Sequence, residues 1–199
     1  MMTTHATTAA PQRQITSAAD PDFSLDPTDT RPIEAYLVLH SPGDPLASEQ
    51  VCALIDHILH RYHQVHLEDF PQAIALARKV EAVHVADAEC PDGLADHLAM
   101  MADDLAGHQR KEEMALFPMM REGGGAMLRI AVARMQAEHG DLVEQLTRLS
   151  VITKDFTPPQ EACRTWRALN QLCRKLDSEL REHMRLEDSI LFPHFTGTL

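Results

Sequence analysis

HQRKEEMALFP (108–118) and HMRLEDSILFP (183–193) are two copies of one pattern in a chain of 199 residues. Each sets a histidine, a glutamate four residues on, a second acid and a Leu-Phe-Pro tail at identical spacing, and the copies start 75 residues apart. Histidine and glutamate one helical turn apart share a face. Burying both there carries a desolvation penalty unless each finds a partner. A single such pair is commonly a solvated hydrogen bond. Two copies with a shared tail point to a repeated metal half-site on two helices, with His108 and Glu112 in one and His183 and Glu187 in the other.

The flanking residues put both copies in helices. Leu94, Leu98, Met101, Leu105, His108, Glu112 and Ala115 step alternately by four and three, as do Trp166, Leu169, Cys173, Leu176, Leu180, His183, Glu187 and Ile190. Leu128, Val132, Met135, His139, Leu142, Leu146 and Leu149 follow the same rule. This spacing keeps one face of each helix toward its neighbours, as in a left-handed bundle. Breaks fall at Phe70-Pro71, at Cys90-Pro91-Asp92-Gly93, at Gly123-Gly124-Gly125 and at Thr157-Pro158-Pro159. Thr157 with Gln160 fits a capping box with Pro158 at the first helical position. The pattern predicts an all-α domain over 47–199, with helices near 48–68, 72–88, 92–120, 127–152 and 159–193. Residues 1–46 are rich in Thr, Ala, Pro and Asp without a period and read as a disordered or irregular leader. Within them only IEAYLVLH (33–40) is apolar enough to dock, as a short strand or a turn of helix.

Composition narrows the function. Lys and Arg number 18 against 30 Asp and Glu, a formal charge of -12 with histidine neutral, which disfavours phosphate backbones and anionic lipid as partners. Cys52, Cys90, Cys163 and Cys173 form neither a CxxC nor a zinc-finger spacing, so reduced thiols in a cytoplasmic protein are expected. No apolar run approaches the roughly 20 residues that span a bilayer, and no signal segment is recognised. Twelve histidines remain to be placed.

His139 lies in the inward stripe of its helix, 31 residues after His108 with Gly124 nearly midway. Two antiparallel helices would bring them to one height. His63 and His84 are 21 residues apart, about 31 Å along a straight helix, and could meet at one site only through an irregular hairpin at Pro71. His66 competes with His63. Glu81 with His84 makes one ExxH, the half-motif of ferritin-type dimetal sites, but a second is missing.

RYH (61–63), VEAVH (80–84), HQRKEE…LFP (108–118), AEHGD (137–141), TPPQEACRTWRAL (157–169) and HMRLED…LFP (183–193) together resemble the RIC (YtfE-type) di-iron proteins, the hemerythrin-like iron-sulfur cluster repair and nitric-oxide response family. The resemblance covers about residues 48–195. It implies a hemerythrin-like four-helix bundle with two iron ions per chain, held by His63, His84, His108, His139 and His183 with Glu112 and Glu187 as bridging carboxylates. No cysteine precedes Cys52, so the adjacent cysteine pair of that family's N-terminal module has no counterpart in this sequence.

With five imidazoles, two bridging carboxylates and an oxide or hydroxide bridge, two octahedral irons would keep one open position, suited to NO or O2. Imidazole also suits zinc, copper and nickel; iron is what the resemblance implies. The expected function is a cytoplasmic protein of nitrosative and oxidative stress that binds or reduces NO and supplies iron to proteins with damaged iron-sulfur clusters. A non-catalytic hemerythrin-like carrier or sensor of O2 or NO is the alternative. Glu113 and Glu138, next to expected ligands, are candidates for tuning the site or for an iron exit path.

Overall fold

The computed structural model describes residues 29–39 and 45–197, and among these residues it is all helical, with no strand. Its segments are α1 (Arg31–Leu39), α2 (Pro45–Ile58), α3 (Gln64–Val83), α4 (Leu94–Lys111), α5 (Phe117–Arg121), α6 (Leu128–Ile152), α7 (Arg164–Leu186) and α8 (Phe192–Thr196). Three five-residue π-turns, Leu59–His63, Glu112–Leu116 and Glu187–Leu191, join α2 to α3, α4 to α5 and α7 to α8 without a break. The result is four rods plus α1. The α3 segment packs on α4 and α7, and α6 packs on the same two, closing a four-helix bundle.

The chain was expected to turn at Pro71, and it does not: Pro71 lies inside α3. A proline there removes the bond to the carbonyl four residues back, and that residue, Leu67, is on the exposed side. Phe70, Ala73, Ala77 and Val80 are buried around it, and packing of this face outweighs the loss of one bond. The two helices expected at 48–68 and 72–88 are therefore one rod. A second departure is at Thr157: α7 starts at Arg164 with Cys163 as its N-cap, so the Thr157 and Gln160 pair caps no helix. The chain reverses instead through Lys154, Asp155 and Phe156, all at positive φ of 50 to 58°. Arg174 holds this turn by donating to the Phe156 carbonyl at 3.1 Å and lying 5.7 Å over the Phe156 ring.

Part of the expected leader is helical, and its residues 40–44 lie outside the described residues. Residues 1–28 lie outside the described residues, while residues 31–39 form α1, with Ile33 and Leu37 buried against α2 and the third π-turn.

Two apolar clusters fill the bundle. One gathers Phe70, Ala77, Leu98, Leu105, Leu146, Leu149, Trp166 and Leu176; the other gathers Leu37, Ile55, Tyr62, Phe117, Val132, Leu191 and Phe192. In each rod the residues of one cluster give way to those of the other at a single level. At that level sit His63, His108, Glu112, His139, His183 and Glu187, all buried.

The π-turns explain a shift in the inward stripe. Regular stepping puts Ala115 and Ile190 inward, but Ala115 is exposed and Leu116 buried, and Ile190 is half-buried while Leu191 is fully buried. Each turn closes with a bond spanning five residues, from the Phe117 amide to the Glu112 carbonyl and from the Phe192 amide to the Glu187 carbonyl. Pro118 and Pro193 supply a cause. Their rings crowd the carbonyls four residues back, those of Met114 and Ser189, and offer them no N–H. A wider turn relieves that crowding.

Candidate metal centre

Four imidazoles and two carboxylates converge where the rods change winding. Potential ligand atoms of His63, Glu112, His183 and Glu187 lie within 4.8 Å of one another, and so do those of His108, Glu112, His139 and Glu187. Both carboxylates belong to both sets, and each turns one oxygen to either side. Glu112 Oε1 is 3.2 Å from His108 Nε2 and its Oε2 is 3.5 Å from His63 Nε2. Glu187 Oε1 is 3.1 Å from His183 Nε2 and its Oε2 is 3.2 Å from His139 Nε2. The His63 and His183 Nε2 atoms are 3.3 Å apart, and those of His108 and His139 3.1 Å apart.

Within the protein this arrangement is poorly satisfied. Neither oxygen of Glu112 has a hydrogen-bond partner, nor has Oε2 of Glu187, although both residues are 0% exposed. Two such carboxylates side by side are unstable as a pair of anions. Burial and the neighbouring Glu187 push Glu112 well above the ordinary carboxylate range. Burial works the same way on Glu187, but the imidazoles of His183 and His139 outweigh it and hold that carboxyl well below. A pair of cations in the two sets would answer every one of these groups, and the mixed nitrogen and oxygen donors suit a transition metal.

The outer nitrogens fix the rings. His63 Nδ1 pairs with Glu113 Oε1 at 2.8 Å, His108 Nδ1 with Glu138 Oε2 at 3.2 Å and His139 Nδ1 with Asp188 Oδ2 at 3.0 Å. A carboxylate on Nδ1 sets the tautomer that leaves Nε2 free to bind a metal and raises its basicity. Burial alone would lower His139, yet Asp188 and Glu187 lift it to about 10. Burial and the adjacent His183 take His63 down to about 4, and burial also lowers His108. Glu138 is steadied from outside by Lys111 at 2.6 Å and Arg134 at 3.2 Å. His183 differs: its Nδ1 has no partner, and its ring stacks under Tyr62 at 5.4 Å and 6°.

Of the seven expected ligands the structure brings six together and leaves His84 apart. Because α3 runs unbroken from Gln64 to Val83, His84 sits at the far end of its rod, across the whole regular apolar cluster. There its Nε2 is 3.3 Å from Cys163 Sγ and its ring 4.9 Å from that of Trp166. The Trp166 amide and His84 together lower the Cys163 thiol. Glu113 and Glu138, expected beside the site, are there as ring partners. Asp188 was missed, although it is the counterpart of Glu113 in the repeated pattern. His66, the competitor of His63, is buried next to His183 but offers no atom to either set.

A helical bundle with two histidine-rich sets sharing two carboxylates defines a class of cation-binding domains, and the chain belongs to it: residues 54–195 match the hemerythrin HHE cation binding domain. It is similar to the iron-sulfur cluster repair protein YtfE of Enterobacter sp. (strain 638), 42% identical over 140 residues, which cover 70% of this chain and 64% of that protein. The YtfE protein of Escherichia coli O81 (strain ED1a) is 40% identical over 146 residues, covering 73% and 66%. The chain thus spans slightly less than two thirds of these curated relatives. No helix among the described residues is long and apolar enough to cross a membrane.

Proposed function

We propose that the chain holds two iron ions, one between His63 and His183 and one between His108 and His139, bridged by Glu112 and Glu187. Through them it binds or reduces NO and serves iron-sulfur cluster repair in the cytoplasm under nitrosative and oxidative stress. The observation that carries this reading is that two buried carboxylates each turn one oxygen to both imidazole pairs, and the likeness to YtfE proteins supports iron and the repair role. Four imidazoles in place of five would offer each ion two nitrogens and two carboxylate oxygens from the protein, which would leave room at both for small ligands such as NO or O2. When bound, the iron pair supplies redox-active sites for such molecules.

The protein's own residues do the rest. Glu113, Glu138 and Asp188 orient the rings and accept their Nδ1 protons, and the apolar clusters on both sides keep bulk water from the layer. All three carboxylates are partly exposed, with 47%, 23% and 35% of their side-chain surface accessible, so they link the buried donors to solvent and form a route for iron toward damaged clusters.

Elemental analysis and the visible spectrum test the centre. Iron-replete protein should carry about two irons per chain, and protein isolated with no metal or with a single zinc would overturn the assignment. Anaerobic NO added to the reduced protein tests the activity. Catalytic release of N2O marks an enzyme; stoichiometric uptake without N2O marks the hemerythrin-like carrier or sensor.

A further inference from the structure

His66 is a buried imidazole that neither set of converging donors includes. It lies one turn after His63 and is 1% exposed. The Gln109 side-chain amide donates to His66 Nδ1 at 3.3 Å, which puts the ring proton on Nε2. That Nε2 has no partner in the protein. A buried donor left without an acceptor carries a desolvation penalty that nothing repays, so an unmatched N–H at this depth calls for a ligand. Its location says which. The ring centroid is 5.8 Å from that of His183 and 6.2 Å from that of Tyr62, on the His63 and His183 side of the centre. On the other side, the ring stacked on His139 is the apolar Phe192, at 5.9 Å and 11°.

We propose that His66 donates its Nε2–H to a small exogenous ligand bound at the His63 and His183 position, making that position the preferred one for diatomic molecules and small anions. This rests on the di-iron reading and adds to it an inequality between the two ions. A ligand atom with a free lone pair satisfies the orphaned donor, while the Phe192 ring stacked on His139 offers none to the same ligand at the His108 and His139 position. His66 is a positioning residue for the ligand and holds no metal.

Azide, a small anion that reports on ferric iron through its charge-transfer absorption, is the probe. Azide is titrated into the di-ferric full chain, with iron content measured on the same samples. His66→Leu should keep both irons and bind azide about ten- to a hundredfold more weakly, the loss of one hydrogen bond to a charged group. His66→Gln, which retains an N–H donor, should recover part of that loss. An azide vibration in the resonance Raman spectrum of the wild type should shift between H2O and D2O and should not shift in His66→Leu. Unchanged azide affinity in His66→Leu with both irons present overturns the proposal, as does an iron lost from that variant or a wild-type spectrum insensitive to D2O. The last measurement needs no variant to fold. A wild type without an iron pair defeats the metal reading and this one together; an intact pair without these effects defeats this one alone.

Discussion

The two apolar clusters lie in the same bundle on opposite sides of one polar layer, yet they are built differently. The cluster around Leu98, Leu146 and Leu176 is regular α-helix in every rod, and its inward residues follow the three-and-four stepping without a slip. The cluster around Tyr62, Phe117 and Phe192 is set off from the layer by a π-turn in three of four rods. The first kind of packing needs only shape and hydrophobicity. The second is organised around six buried polar side chains, among which three carboxylate oxygens, both of Glu112 and one of Glu187, find no partner within the protein. One half thus supplies stability, and the other depends on its ligand for part of it.

Breaking the shared layer should have the largest effect. Because Glu112 and Glu187 each face both positions, Glu112→Ala or Glu187→Ala should lose both irons, whereas His183→Ala should weaken chiefly the position it shares with His63; iron per chain and the visible spectrum measure this. Stripping the metal with a chelator should come next. At a free metal level a thousand times Kd, bound metal contributes about 4 kcal/mol, so denaturant titration of the stripped protein should show a loss of that order. Leu146→Ala, in the regular half, should cost about 2–5 kcal/mol while leaving the iron content unchanged. If it empties the site, the two halves are not separable as described.

A smaller effect is expected from pH in the regular half. His97 is buried there, its Nε2 donating to the Gln145 carbonyl at 2.9 Å, and burial holds it below its ordinary 6.5. The unfolded chain therefore takes up a proton that the folded chain refuses, and stability should fall as pH drops below about 6.5. In chelated protein His97→Gln should make this acid limb shallower without abolishing it, since the likewise depressed His63 and His108 of the emptied layer contribute in the same direction. The smallest effect belongs to His84→Ala, which should leave iron content and spectrum as they are. Loss of an iron there would mean that α3 bends in solution.

What could be read beforehand follows the same division. The stripes in α4, α6 and α7 were legible because a regular helix repeats its inward face, and the duplicated His-x-x-x-Glu pairs stood out as polar interruptions of those stripes. His139 was legible from the turn midway between it and His108. His84 entered the ligand set through the family resemblance, and a proline inside a helix looks like the chain reversal that could have carried it to the site; only the burial of Phe70, Ala73 and Ala77 around Pro71 shows that the rod continues. The slip from Ala115 to Leu116 was hidden because periodicity assumes one winding throughout, although the Leu-Phe-Pro tail carried its cause. Asp188 was within reach by comparing the two copies position by position.

The π-turns also bear on how such a centre could arise or be lost. Each is equivalent to one residue inserted into an otherwise regular helix: take one residue from Glu112–Leu116 and the stepping of α4 would run straight on through the layer. The three irregular rods are then, in sequence terms, three single-residue additions to a plain bundle. Two of them present a carboxylate inward and then an aromatic wall, Glu112 before Phe117 and Glu187 before Phe192, while the first runs in the opposite order, Tyr62 before His63. Single-residue deletions in these turns should accordingly be tolerated by the backbone and fatal to the centre, leaving a helical bundle with its chemistry removed.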